Sequence, residues 1–219
     1  MKQKVKICCI SSIDEAKLAI KYGASAIGLV SKMPSGPGVI SEELISKIAA
    51  SVPENIDTFV LTSKQDVASI IAQHKKCKTN TIQIVDTLIS GSYTELKKAL
   101  PKIQIVQVIH VADLNSVDEA IEVSKYVDSI LLDSGNQKNK IKTLGGTGKT
   151  HDWSLSKRIV DSVNIPVYLA GGLGENNVLD AIAKVNPYGI DLCSSVRTNN
   201  LLDENKLSNL FQKLESTFI

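Results

Sequence analysis

Short apolar runs alternate with longer segments in which apolar residues recur every three or four positions, along the whole chain. Residues 5–10, Val-Lys-Ile-Cys-Cys-Ile, read as a strand. Ser12-Ile13-Asp14-Glu15 then carries the Ser-x-x-Glu spacing of a capping box and opens a helix to about Tyr22, with Gly23 as its stop. The same alternation predicts further strands at 26–30, 58–61, 81–85, 103–108, 129–133, 167–170 and 190–193. Helices are predicted from Ser41 to just before Pro53, and at 66–74, 93–100, 116–127, 154–162, 177–185 and 205–216. A long polar loop, 134–151, separates the sixth strand from its helix.

Strands alternating with helices imply parallel pairing through right-handed crossovers. Eight such units match a (β/α)8 TIM barrel at the short end of its size range. A doubly wound open sheet is the competing architecture, and its first turn usually carries a glycine fingerprint. Here that turn is Cys9-Ile10-Ser11-Ser12, without glycine. The repeating units occupy nearly all 219 residues, so one domain spanning 1–219 is expected.

Composition narrows the function classes. Hydrophobic residues make up 43% and charged residues 22%, as in an ordinary globular protein. Lys plus Arg is 25 against 23 for Asp plus Glu, a net charge of +2, so neither nucleic acid nor an anionic membrane is an expected partner. Aromatics are 4%, too few for base-stacking platforms, so the core must be built from Ile, Val, Leu and Ala. No signal peptide and no run of 18 apolar residues is visible, and a cytoplasmic location is expected. The four cysteines, Cys8, Cys9, Cys77 and Cys193, match no zinc or Cys-x-x-Cys spacing and read as reduced thiols. Adjacent Cys8 and Cys9 on one strand should face opposite sides and make poor partners for each other.

In a (β/α)8 barrel the chemistry sits at the C-terminal strand ends. There the chain places Cys8 on the first strand, Gln83 on the fourth and Asp133 on the sixth. A thiol and a carboxyl on well-separated strands can supply a base and an acid on opposite sides of a bound molecule. Cys9 and Cys193 read as structural, Cys77 as a bystander, and His74 and His110 as ordinary hydrogen-bonding residues. His151 lies in the long loop and is a weaker candidate for the site. Gly171 and Gly172 follow the seventh strand and precede a helix starting near Asn176, a combination suited to holding phosphate. Ser194 and Ser195 after the eighth strand, and Gly145 and Gly146 after the sixth, supply neighbouring backbone donors. A small phosphorylated substrate is therefore the leading expectation, with glycines that merely make tight turns as the plain alternative.

These residues together resemble the phosphoribosylanthranilate isomerase family of tryptophan biosynthesis. The resemblance is carried by Lys6-Ile7-Cys8, Leu131-Leu132-Asp133-Ser134, Gly145-Gly146-Thr147-Gly148 with Trp153, Leu169-Ala170-Gly171-Gly172-Leu173 with Asn177-Val178, and Gly189-Ile190-Asp191 before Ser194. It implies a cofactor-free barrel that performs an Amadori rearrangement. It also implies Cys8 as the base at C2 of the sugar, Asp133 as the acid at the ring oxygen, and phosphate on Gly146, Gly172 and the Ser194-Ser195 backbone. A thiol needs only a modest downward pKa shift to act as a base at neutral pH.

The departures are specific. Cys9 stands where the family has Gly, and Pro37 where it has an arginine that would pair with the anthranilate carboxylate, a contact worth about 1.5–3 kcal/mol. After Gln83 the family's His-Gly is missing; Ser195 replaces a Gly, and Arg197 a Glu. Arg197 or Lys32 is expected to supply the missing cation. A related barrel isomerising another phosphorylated aminosugar, and a non-catalytic barrel binding a phosphometabolite, remain as alternatives. Monomer and homodimer are both compatible with the sequence.

Overall fold

The computed structural model describes residues 3–134 and 150–216. Eight parallel strands close into a barrel: β1 (Lys4–Ile7), β2 (Ala26–Val30), β3 (Asp57–Thr62), β4 (Thr81–Ile84), β5 (Gln104–His110), β6 (Ser129–Asp133), β7 (Val167–Leu169) and β8 (Gly189–Leu192). Each is followed by one helix: α1 (Ile13–Tyr22), α2 (Glu42–Ser51), α3 (Val67–Cys77), α4 (Tyr93–Ala99), α5 (Asn115–Val123), α6 (Trp153–Ser162), α7 (Val178–Val185) and α8 (Glu204–Glu215). The barrel closes between β1 and β8, where Lys6 pairs in register with Asp191 and Ile7 with Leu192.

Two apolar layers follow from the two faces of the strands. Ile7, Ile27, Ile82, Ile105, Ile130 and Ile190 point outward and pack under the helices. Their branched side chains suit a pleated surface covered by amphipathic helices. Ala26, Phe59, Leu61, Val106, Val108, Leu131 and Tyr168 fill the interior. Phe59 and Tyr168 meet edge-on, with centroids 5.9 Å apart at 80°.

The helix starts are capped as the sequence suggests, with one change. Ser12 accepts from the Glu15 N–H, but the Glu15 carboxylate does not return to Ser12. It takes the N–H of Ser11 at 2.8 Å and of Leu202 at 2.8 Å instead. The reciprocal capping box forms at Ser92 and Glu95.

The element after β8 was not anticipated. A 3-10 turn (Ser194–Val196) leads into an antiparallel hairpin of β9 (Arg197–Thr198) and β10 (Leu201–Leu202). Asn199 and Asn200 turn it with φ of +50° and +64°, left-handed values that asparagine tolerates best among non-glycine residues. The hairpin carries Arg197 inward. Its guanidinium grips both carboxylate oxygens of Glu15 at 3.0 and 3.2 Å, and donates to the carbonyls of Cys9 at 2.6 Å and Asn200 at 2.8 Å. Arg197 thus ties the end of β8 to the turn after β1.

Candidate active site

At the C-terminal mouth of the barrel a cavity open to solvent is lined by Cys8, Gln83, Asp133, Asp191 and Ser194, with Val30, Met33, Pro37, Leu61 and Leu131 as its apolar wall. Cys8 and Asp133 therefore share one cavity, on strands separated by β7 and β8 around the barrel. Gly172 lines this cavity and also a second one, formed by Gly174, Asn177, Ser195 and the start of α7. The two spaces thus meet at Gly172, one flanked by an acid and a thiol, the other by glycine backbone and a helix N-terminus.

Space for the Cys8 thiol comes from Gly28 in β2. A Cβ there would lie 2.7 Å from the Cys8 sulfur and 3.2 Å from Lys6 Cε, so a larger residue would push both aside. Lys6 is fully buried beneath this thiol. Its ammonium lies 2.7 Å from Asp191 Oδ2 and 5.0 Å from the centre of the Phe59 ring. Burial opposes the Lys6 charge, yet Asp191 and the neighbouring thiols hold its pKa above the ordinary lysine value. Burial raises the Asp191 pKa, and the Lys6 charge opposes that rise. Asp191 Oδ1 is buried with no hydrogen-bond partner among the described residues, as is Gln83 Oε1, and both residues line the cavity. Two buried acceptors without partners are what a bound polyol would satisfy.

Cys8 has a lowered pKa. The facing Cys9 thiol is the largest cause, burial acts against it, and the Lys6 ammonium adds to the lowering. The strand-alternation expectation for Cys9 fails here. Cys9 adopts φ +63°, a left-handed conformation that turns its side chain to the same interior cluster as Cys8.

Asp133 is nearly buried at the end of β6, and its Oδ1 accepts from the Ser134 N–H at 2.7 Å. Gly171 lies against it with φ +81°. A Cβ on Gly171 would come within 3.2 Å of Asp133 Oδ1 and 3.1 Å of His151 Nδ1. The glycine there is set by backbone conformation and by close approach together. His151 thus stands beside Asp133, its Nε2 bonded to Ser156 Oγ at 2.6 Å and its pKa lowered by burial.

Of the residues singled out from sequence, Cys8, Gln83, Asp133, Gly171, Gly172 and Ser194 line the first cavity and Ser195 the second. The Ser195 hydroxyl is buried without a partner among the described residues. Gly145 and Gly146 lie outside the described residues. Arg197 departs from expectation: it lines neither cavity, because Glu15 and backbone carbonyls hold its guanidinium. Lys32 is exposed and also absent from the lining, so among the described residues no cation faces the first cavity. Lys6 and Asp191 entered the sequence analysis only among the residues that carry the resemblance, without a role in the site. The available signal was a lysine and an aspartate each between two apolar neighbours in a barrel strand. Among the described residues, no group of three or more His, Cys, Asp or Glu is arranged to hold a metal, and no helix is long and apolar enough to cross a membrane.

Comparison with known proteins agrees with the barrel fold. Residues 5–213 match the family model described as N-(5'-phosphoribosyl)anthranilate (PRA) isomerase. The chain is 32% identical to N-(5'-phosphoribosyl)anthranilate isomerase 2 of Methanosarcina mazei, over 98% of this chain and 95% of that one. It is 31% identical to the N-(5'-phosphoribosyl)anthranilate isomerase of Nostoc punctiforme, over 97% and 99%. The crystal structure of phosphoribosyl anthranilate isomerase from Thermotoga maritima superposes with a TM-score of 0.80 at 25% identity, covering 98% of this chain and 99% of that one. A match that runs almost the full barrel, together with a thiol, a carboxyl and a glycine nest at one mouth, means that the chain belongs to the N-(5'-phosphoribosyl)anthranilate isomerase family.

Proposed function

We propose that this protein isomerises N-(5'-phosphoribosyl)anthranilate to 1-(o-carboxyphenylamino)-1-deoxyribulose 5-phosphate, the Amadori step of tryptophan biosynthesis. The observation that carries the reading is the shared cavity: Cys8 and Asp133 line one space, and Gly172 on its edge also lines the glycine and serine nest. The phosphate is assigned to the backbone of Gly172 and Ser195 at the start of α7, where free N–H groups and the helix dipole favour an anion. The sugar then lies between Cys8 and Asp133, and the aromatic ring reaches the apolar wall of Val30, Met33, Pro37 and Leu61.

The reaction proceeds in balanced steps. The Asp133 carboxyl gives its proton to the furanose ring oxygen as the C1–O bond breaks, and the anilino nitrogen lone pair forms the C1–N double bond. The Cys8 thiolate removes the proton from C2, the C–H electron pair becomes the C1–C2 double bond of an enolamine, and the C1–N π pair returns to the nitrogen. A proton then adds to C1 as the C2 hydroxyl gives up its own, and the O–H pair forms the C2–O double bond of the ketone. Cys8 suits the base role because its thiol is drawn below the ordinary value in a cavity roofed by the loop after β2. The unpartnered oxygens of Gln83 and Asp191 accept from sugar hydroxyls. Gly145 and Gly146 remain part of the proposed phosphate site on the sequence resemblance alone.

The test is the loss of phosphoribosylanthranilate fluorescence on turnover. Cys8→Ala and Asp133→Asn should each lower kcat by about 10²–10⁴, with KM little changed. Near-normal turnover in both variants sinks the assignment. The lack of a cation among the described lining residues favours one second reading, a related aminosugar phosphate without the aromatic carboxylate. Turnover of such a compound together with inactivity on phosphoribosylanthranilate would select it.

A further inference from the structure

A row of three thiols crosses the site mouth: Cys8, Cys9 and Cys193 all line the first cavity. Only Cys8 has a role in the proposed reaction. Cys9 and Cys193 follow β1 and β8, the two strands that close the barrel, and their sulfurs stand 2.7 Å apart. Both are free thiols. A disulfide has its sulfurs about 2.05 Å apart, so a small contraction joins them.

The chain holds this pair in place by unusual means. A non-glycine residue at φ +63° carries strain on the order of 1–3 kcal/mol. Without that conformation, Cys9 would follow strand alternation and point away from the mouth. Gly38, itself at φ +76°, approaches so closely that a Cβ there would sit 2.6 Å from Cys9 Cβ. The Cys9 sulfur also faces the Pro37 carbonyl at 3.7 Å. The loop after β2 therefore covers Cys9, while Cys193, on the edge of the same cavity, is the more exposed residue.

We propose that Cys9 and Cys193 form a reversible disulfide on exposure to hydrogen peroxide, and that this bond switches the site off. The Cys193 sulfur attacks one peroxide oxygen, the O–O bond breaks, and water leaves behind a sulfenic acid. The Cys9 sulfur then attacks the Cys193 sulfur, the S–S bond forms, and the displaced oxygen departs as water carrying the Cys9 proton. Two thiols lose two electrons and two protons, and one peroxide becomes two waters. The bond removes the Cys9 S–H that faces Cys8 and joins the two strand ends on either side of the base. The effect on turnover rests on Cys8 as the base; the formation of the bond does not.

The experiment treats the purified full chain with hydrogen peroxide and then with dithiothreitol. Mass spectrometry of a tryptic digest should show the 7–17 peptide linked to the peptide holding Cys193, with loss of two hydrogens, and the same link should form in Cys8→Ala, where Cys9 is the one thiol left in that peptide. Turnover should fall by about tenfold or more, as expected if the Cys8 thiol rises by one pKa unit at a pH below it, and recover with dithiothreitol. Each variant is compared with its own reduced form. Cys193→Ser and Cys9→Gly should both lose the dithiothreitol-reversible part of the inactivation. A Cys8–Cys9 or Cys8–Cys193 link, irreversible oxidation without a link, or wild-type reversible inactivation in either variant would each overturn the proposal. A link that forms without affecting turnover would overturn the switch. Undiminished turnover in reduced Cys8→Ala would instead remove Cys8 as the base and leave the link itself standing.

Discussion

Lys6→Met tests the electrostatic floor of the site. The substitution keeps length and volume and removes one buried charge. Lys6 is fully buried, its Nζ is 2.7 Å from Asp191 Oδ2, and the Asp191 carboxyl is itself nearly inaccessible. Removing one member of such a pair leaves the other uncompensated in a low-dielectric interior, at a cost of about 3–5 kcal/mol. That is a large share of a typical 5–15 kcal/mol of folding stability, and urea unfolding would read it directly. Replacing both partners, Lys6→Met with Asp191→Leu, should recover most of the loss, because an apolar pair of similar volume needs no desolvation.

The same substitution also acts on the base. The Lys6 charge is one of the influences that lower the Cys8 pKa, so its removal moves the acidic limb of the kcat/KM profile to higher pH. A base must be unprotonated to act, so turnover near neutrality falls while the plateau at high pH is kept. A cost below about 1 kcal/mol for Lys6→Met, or no recovery in the double variant, would refute the argument that these two groups are charged and coupled in the core. An unmoved acidic limb would refute the link to Cys8.

Three further outcomes follow from single contacts. Gly171→Ala should lower kcat more than it raises KM, since its new methyl group enters the space between Asp133 Oδ1 and His151 Nδ1 at a positive φ; an unchanged kcat in steady-state assays would count against this crowding. Gly174→Val should raise KM with kcat held, because a Cβ there meets Ser195 Cβ at 2.9 Å, and inorganic phosphate should compete with substrate less well in the variant than in the wild type. The Glu15 pKa is lowered in the fold; burial opposes the lowering, while Arg197 and the N–H groups of Leu202 and Ser11 together outweigh it. Its stabilising contribution is therefore complete above the ordinary value of 4.5 and is lost as pH falls through the lower folded value. Glu15→Gln should flatten that acid limb in thermal melts taken from neutral to low pH.

The alternation of apolar runs with amphipathic segments was enough to place eight strands and eight helices in order, because period and cap chemistry are local properties. Strand ends were legible to within a few residues: β1 stops at Ile7 rather than Ile10 because Cys9 turns left-handed. The hairpin of β9 and β10 was missed because two-residue strands carry no period. Cys8, Asp133 and the Gly171-Gly172 turn were readable because barrel topology brings every strand end to one mouth. Arg197 was misread for a related reason. Its position after β8 suggested the mouth, yet a contact 182 residues away in sequence, to Glu15, draws it behind the site.

The chain by itself determined the barrel, the thiol and carboxyl at its mouth, and the glycine nest, since all of these follow from local pattern and strand order. Only the tertiary structure decided what surrounds the base. Lys6 and Asp191 meet through the register of the closing strands, and Cys9 joins Cys8 and Cys193 through one backbone dihedral. Both depend on contacts between the two ends of the chain. No local window contains them, and they set the charge and the thiol chemistry of the site.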